Sequence, residues 1–233
     1  MAFRPRYVTF DCYGTLTRFR MGDMAREMFA HRIEPGQMDQ FVADFASYRL
    51  DEVLGAWKPY ADVLKSAVRR TCKKWGLAYS EAEGQVYYDA VPTWGPHADV
   101  AAGLARIAPH IPLVILSNAS NEQIQHNVAK LGAPFHRVYT AQMAQAYKPR
   151  LQAFEFMLDS LGCNPEDVLH VSSSLRYDLM SADDRILLRA SARACIGYYS
   201  SVVLAETSYE LARKRFRTAK DVCAAAQLPG LRQ

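Results

Sequence analysis

The segment Tyr7-Val8-Thr9-Phe10-Asp11-Cys12-Tyr13-Gly14-Thr15-Leu16 opens as a β-prone run, stops on an acid and turns at a glycine. β-Branched and aromatic residues suit a pleated strand, whereas Asp and Gly end it and permit a tight turn. Comparable strand ends recur downstream. Leu113-Val114-Ile115-Leu116 runs into Ser117-Asn118, and Val168-Leu169-His170-Val171 into Ser172-Ser173-Ser174. Arg137-Val138-Tyr139-Thr140 reads as a further short strand. Between them lie stretches of helical spacing: Val100 to Ile107, Asn121 to Leu131 with Ser120 or Asn121 as cap, and Leu151 to Leu161.

Strand–helix alternation of this kind predicts βαβ crossovers and an α/β core with a Rossmann-like parallel sheet. The stretch over 17–92 reads differently. Met24 and Met28, then Phe41, Phe45 and Tyr48, then Val63, Ala67 and Val68, then Val86 and Ala90 recur at helical spacing. Glu34-Pro35-Gly36, Lys58-Pro59 and Trp75-Gly76 break these blocks. The expectation is a core over 1–16 and 93–233, interrupted by an inserted α-helical domain over 17–92. Beyond Ser181 the pattern fades: a helix and a strand are expected between Ala182 and Tyr199, with Cys195-Ile196-Gly197-Tyr198 as the strand.

Composition bounds the function. The 233 residues are 50% apolar and 22% charged, enough to bury a substantial core and incompatible with a wholly disordered chain. Apolar runs such as Ile111 to Leu116 fall far short of the ~18–20 residues of a membrane helix. The 28 Lys and Arg against 24 Asp and Glu leave a net charge of +4, which helps an anionic substrate approach but is too small for a nucleic-acid surface. The basic run Arg213-Lys214-Arg215-Phe216-Arg217 reads as the solvated face of a late helix. Five scattered cysteines without a C-x-x-C pair indicate reduced thiols, and the first residues lack an apolar leader. A cytoplasmic protein without disulfides, metal or cofactor is expected.

In an open parallel sheet, ligands bind outside the carboxyl ends of the strands. Asp11, Ser117-Asn118 and Ser172-Ser173-Ser174 end three strands there, and Lys148, before Pro149 and the following helix, falls on the same edge. Asp178 follows in the last of these loops. Cys12 and His170 read as packing residues, and His97, His126 and His136 as structural or surface ones.

Asp11-x-Tyr13-Gly14-Thr15-Leu16, Leu116-Ser117-Asn118, Tyr147-Lys148-Pro149 and Val171-Ser172-Ser173 followed by Asp178 resemble, in order, the four motifs of the haloacid dehalogenase superfamily. The helical insertion is similar to that superfamily's cap domain, and the sequence most resembles the L-2-haloacid dehalogenases. Phosphatases of the superfamily need a second Asp two positions after the first and acidic ligands for Mg²⁺. Here Tyr13 takes the first of those places and Ser173 the second.

The resemblance implies a hydrolytic dehalogenase of short L-2-haloacids that needs no metal. Asp11 would displace halide and form an ester, with Thr15 as part of its catalytic motif. Lys148 would offset the repulsion between two carboxylates, and Asp178 would act as base for the water that cleaves the ester. Ser117, Asn118, Tyr13, Ser173 and Ser174 would line the substrate site, with Asn118 offering N–H to the departing halide. Backside attack inverts the carbon, so the product is a D-2-hydroxyacid.

Some positions depart from the family. Its halide-binding arginine aligns with Phe41 or, with a gap, Ala46, and Arg49, one turn from the latter, is the proposed substitute. Leu175 stands where the family has Asn, with Ser174 as its stand-in, and Phe154 where it has Tyr. Phe41, Phe45, Tyr48 and Trp57 would set substrate size, and the family leads us to expect a homodimer. Two alternatives are a phosphatase of small phosphoesters and a catalytically silent binding protein that keeps the fold.

Overall fold

Four parallel strands carry the core of the computed structural model, which describes residues 5–179 and the strand backbone of 190–196, 198–199, 201–204 and 215–216. They are β1 (Tyr7–Phe10), β2 (Leu113–Ser117), β3 (Arg137–Thr140) and β4 (Val168–Ser172), in the order β3-β2-β1-β4. The chain steps outward from β1 to β2 to β3, then crosses back to set β4 on the other side of β1. That reversal opens a crevice beyond the ends of β1 and β4, the usual ligand position in such sheets. Further along, β5 (Ala190–Ile196), β6 (Tyr198–Tyr199), β7 (Ser201–Leu204) and β8 (Arg215–Phe216) extend the pairing, with β7 antiparallel to β4. Arg215 and Phe216, read above as helical, are paired in a strand with β5. The helix expected from Ala182 falls largely on 180–189, outside the described residues.

Side-chain alternation sorts the two faces of the sheet. Val8, Phe10, Leu113, Ile115, Leu169 and Val171 pack with α5 (Val100–Ile107) and α6 (Asn121–Val128). On the opposite face Val114, Leu116, Tyr139 and Val168 pack on α8 (Leu151–Leu161). The helix expected to reach Leu131 stops at Val128, and Ser120 is its cap, accepting from the Gln123 N–H at 3.3 Å. A short α7 (Ala141–Ala144) had no sequence signal beyond Thr140, whose hydroxyl caps it.

The chain divides into this α/β unit, Met1–Arg18 with Gly95–Gln233, and a helical unit, Phe19–Trp94. The helical unit contains α1 (Met21–Phe29), α2 (Met38–Leu54), α3 (Tyr60–Lys74) and α4 (Glu81–Ala90). Pro59 precedes α3, and a Ser80/Glu83 capping box starts α4. Phe41 packs on Phe29 and Trp75, and Phe45 on Tyr87, so these two proposed size-setting residues are part of the unit's own core. Tyr48 carries the Arg70 guanidinium over its ring. Buried Glu52 binds Lys58 and Arg70, an ion cluster that ties α2 to α3.

Candidate active site

Polar residues enter the sheet in register. On β1 the residues facing α8 run Tyr7, Thr9 and then Asp11, and on β4 they run Val168, His170 and then Ser172. Thr9 sits opposite His170 in the parallel pair. Apolar residues at the strand starts thus give way to polar ones at the carboxyl ends, on one face of two adjacent strands.

Asp11 leaves β1 with its N–H on the Val171 carbonyl, 3.0 Å away. The chain then reverses around Cys12, whose carbonyl accepts from Thr15, Leu16 and Thr17. Gly14 takes φ +92° in this turn, a region that side chains rarely enter. The turn swings Thr15 back onto Asp11, where its hydroxyl donates to Oδ2 at 2.8 Å. Thr15 Oγ1 in turn accepts the Ser173 N–H at 2.9 Å, linking the loops after β1 and β4.

Lys148 is 1% exposed, and its ammonium has three acceptors: Asp11 Oδ1 at 2.8 Å, Asp178 Oδ1 at 2.7 Å and the Leu116 carbonyl at 2.8 Å. Asn118 holds the Lys148 main chain from both sides, accepting its N–H at 2.7 Å and donating Nδ2 to its carbonyl at 2.8 Å. The amide expected to face a halide therefore spends one N–H on fixing the lysine loop. Asp178 sits on a single π-helical turn, Leu175–Leu179. Its Oδ1 also accepts His170 Nε2 at 2.9 Å, and its Oδ2 accepts the Ser172 hydroxyl at 2.8 Å.

The electrostatics follow from two buried carboxylates sharing one ammonium. For Asp178, burial pushes the carboxyl up, but the Lys148 charge and the hydrogen bonds from His170 and Lys148 outweigh it and hold it at about 2. Asp11 goes the other way: burial and the Asp178 charge raise it against the pull of Lys148 and Thr15. The ammonium is held above its ordinary value, since the two carboxylates outweigh its own burial. Asp178 is thus the firmly ionised member of the pair and Asp11 the more basic one. Greater basicity in a desolvated carboxylate favours attack on carbon.

The remaining residues divide between site and scaffold. Ser117 is fully buried, and its hydroxyl has no hydrogen-bond partner among the described residues. The Tyr13 hydroxyl donates to Asn127 at 3.1 Å and so anchors the turn to α6. Ser174 caps the π turn by accepting the Tyr177 N–H at 3.1 Å. Arg49 belongs to the helical unit, its guanidinium 5.0 Å from the Phe19 ring and 4.9 Å from Phe45. Its Nε is buried with no hydrogen-bond partner among the described residues.

Two residues of the network, Thr9 and His170, were not among the sequence candidates; Ser172 was placed at the sheet edge without a role of its own, and His170 is hydrogen-bonded where packing was expected. Their signal is the period of two: Thr9-x-Asp11 and His170-x-Ser172 place polar groups on one face of two buried strands.

A family model described as haloacid dehalogenase-like hydrolase matches residues 5–184. The (S)-2-haloacid dehalogenase H-109 of Pseudomonas putida is 26% identical over 175 residues, spanning 72% of this chain and 76% of the relative. The (S)-2-haloacid dehalogenase of Xanthobacter autotrophicus is 28% identical over 174 residues, spanning 72% of this chain and 67% of its own. Among solved structures, the Xanthobacter autotrophicus L-2-haloacid dehalogenase with chloropropionic acid covalently bound superposes with a TM-score of 0.64. It is 25% identical and covers 78% of this chain and 75% of that one.

Proposed function

The chain belongs to the haloacid dehalogenase-like hydrolases, and within that family we propose that it hydrolyses short L-2-haloacids to D-2-hydroxyacids through an ester on Asp11. One observation carries the reading: Asp11 is buried with one oxygen on Lys148 and the other on Thr15, both at 2.8 Å. A carboxylate is a modest nucleophile, and fixing and desolvating it is what makes displacement at carbon competitive.

In the first step an Asp11 oxygen attacks the carbon bearing the halogen from the face opposite the leaving group. The new C–O bond takes the place of the carbon–halogen bond, and halide departs with the bonding pair. Lys148 offsets the repulsion between Asp11 and the substrate carboxylate. Ser117 gives that carboxylate a donor whose burial is otherwise uncompensated, a cost of about 1–3 kcal/mol when no partner is present. In the second step water attacks the Asp11 carbonyl carbon while Asp178 takes one of its protons. The bond from that carbon to the substrate-derived oxygen then breaks, and this oxygen leaves with the other water proton as the hydroxyl of the hydroxyacid, returning Asp11 to a carboxylate.

The donors around Asp11 do not fit a divalent cation. Both Asp11 oxygens hold N–H or O–H donors, Asp178 accepts from Lys148, His170 and Ser172, and the residue two places after Asp11 is a tyrosine bonded to Asn127. Among the described residues no cluster of three or more His, Cys, Asp or Glu side chains is placed to hold a metal, and no helix is long and apolar enough to cross a membrane.

Incubation with L-2-chloropropionate or chloroacetate in EDTA tests this reading through halide release. Mass spectrometry of the trapped protein should place the added acyl group on the peptide containing Asp11, and Asp11→Asn should abolish both signals. No halide from a panel of short haloacids, or phosphate release from small phosphoesters that EDTA suppresses, would overturn it.

A further inference from the structure

We propose that His170 is a positioning residue for this reaction: its Nε2–H keeps Asp178 ionised and turned toward Lys148, and Thr9 fixes the ring for that task. The inference rests on the reading of Asp11 as nucleophile and Asp178 as the ionised partner of Lys148. An ionised carboxylate only accepts, so the 2.9 Å contact to Asp178 Oδ1 puts the proton on His170 Nε2. In the neutral ring Nδ1 is then an acceptor, and the fully buried Thr9 hydroxyl, 2.7 Å away, donates to it. The ring is further held edge-on by Phe154, at 5.8 Å and 83°.

Asp178 needs this donor because of the local charge. Two carboxylates and one ammonium leave an excess negative charge in a buried site, and Lys148 must serve both acids. Among the described residues, the groups around Asp178 and His170 are Thr9 from β1, Asp11 just after it, Ser172 from β4, Lys148 from the loop before α8, and the uncharged Phe154 ring from α8. Without the His170 N–H, Asp178 either takes up a proton at higher pH or draws Lys148 away from Asp11. Either outcome weakens the assembly that attacks the substrate and deprotonates water.

The test compares pH profiles of kcat/KM for halide release. His170→Phe keeps a ring against Phe154 and loses the donor; His170→Gln keeps an N–H near the Nε2 position. A lost charge-assisted hydrogen bond should move the acid limb, which belongs to the Asp11–Asp178 pair, up by about one to two pH units in His170→Phe. His170→Gln should restore it to within about half a unit of wild type. A second readout needs no turnover. In protein labelled with ¹³C at the aspartate carboxyls, the Asp178 signal, assigned by its loss in Asp178→Asn, should titrate at higher pH in His170→Phe than in wild type.

An unmoved acid limb and an unmoved carboxyl signal in His170→Phe overturn the proposal, as does an equal shift in the Gln and Phe variants. If wild type releases no halide, the dehalogenase reading fails while the carboxyl titration still decides the role of His170. Should His170→Phe not fold, Thr9→Val keeps the test open. It removes the hydroxyl on Nδ1 and should move both readouts in the same direction by less, and no movement there counts against the proposal.

Discussion

Replacing Lys148 by methionine should make the stability of this protein strongly pH-dependent and remove its activity. The side chain is 1% exposed and satisfies three buried acceptors. Methionine fills much of the same space without a charge, leaving Asp11 and Asp178 facing each other. Removing one partner of a buried ion pair costs about 3–5 kcal/mol, which the site can avoid only by holding a proton on one carboxyl. That cost drives one of the pair to titrate well above the ordinary aspartate range in the variant, because the two carboxylates no longer share a cation.

The folded pKa then lies above the unfolded one. The variant therefore keeps its stability below about pH 4 and loses it progressively as pH rises through the folded value. Urea unfolding at pH 5 and pH 8.5 should show a small deficit against wild type at the first and about 3–5 kcal/mol at the second. Halide release at neutral pH should fall by at least about a thousandfold, because the attacking carboxylate loses both its charge and its anchor. Lys148→Arg should not rescue it, since a planar fork cannot reproduce three acceptors around one nitrogen. A deficit equal at the two pH values, or halide release above a tenth of wild type, would refute the reasoning.

Thr15→Val removes the hydroxyl on Asp11 Oδ2 and the acceptor of the Ser173 N–H. Loss of one charge-assisted hydrogen bond should lower kcat/KM about ten- to a hundredfold, read by halide release. In the helical unit, Gly84→Ala would bring a Cβ within 2.6 Å of Lys65 Cγ and 2.8 Å of its Cα. The backbone of α3 cannot yield cheaply, so stability should drop by about 1–3 kcal/mol in urea unfolding. Burial raises the Glu52 carboxyl, but hydrogen bonds from Lys58 and Arg70 hold it below the ordinary glutamate value. Its contribution is therefore present above about pH 4.5 and lost as pH falls through the lower folded value, so Glu52→Gln should lose less stability than wild type between pH 5 and pH 3.

The four parallel strands and the helices α5 and α8 were legible in the sequence, because each is set by a local pattern of burial and turn residues. Thr9 to Asp11 and Val168 to Ser172 carry that pattern in a few consecutive positions, and no distant residue is needed to read it. The short α7, with nothing in its composition to mark it, was not legible. Nor was the strand at Arg215–Phe216, which forms only by pairing with β5.

The loops that hold the polar residues could also be placed along the sheet edge, since strand ends fix where loops begin. Which atoms meet was another matter. Asn118 binds the Lys148 backbone, Ser174 caps a π turn, and His170 bonds Asp178 as well as packing on Phe154. These choices depend on the register of β1 against β4 and on one extra turn of backbone around Asp178. Hydrogen bonds discriminate over tenths of an ångström, whereas sequence patterns resolve only which face of a strand a residue occupies. The sequence by itself thus determined the four parallel strands, the main helices packed on them and the edge at which the chemistry gathers. The tertiary structure alone decided how a single buried ammonium is divided between two acids.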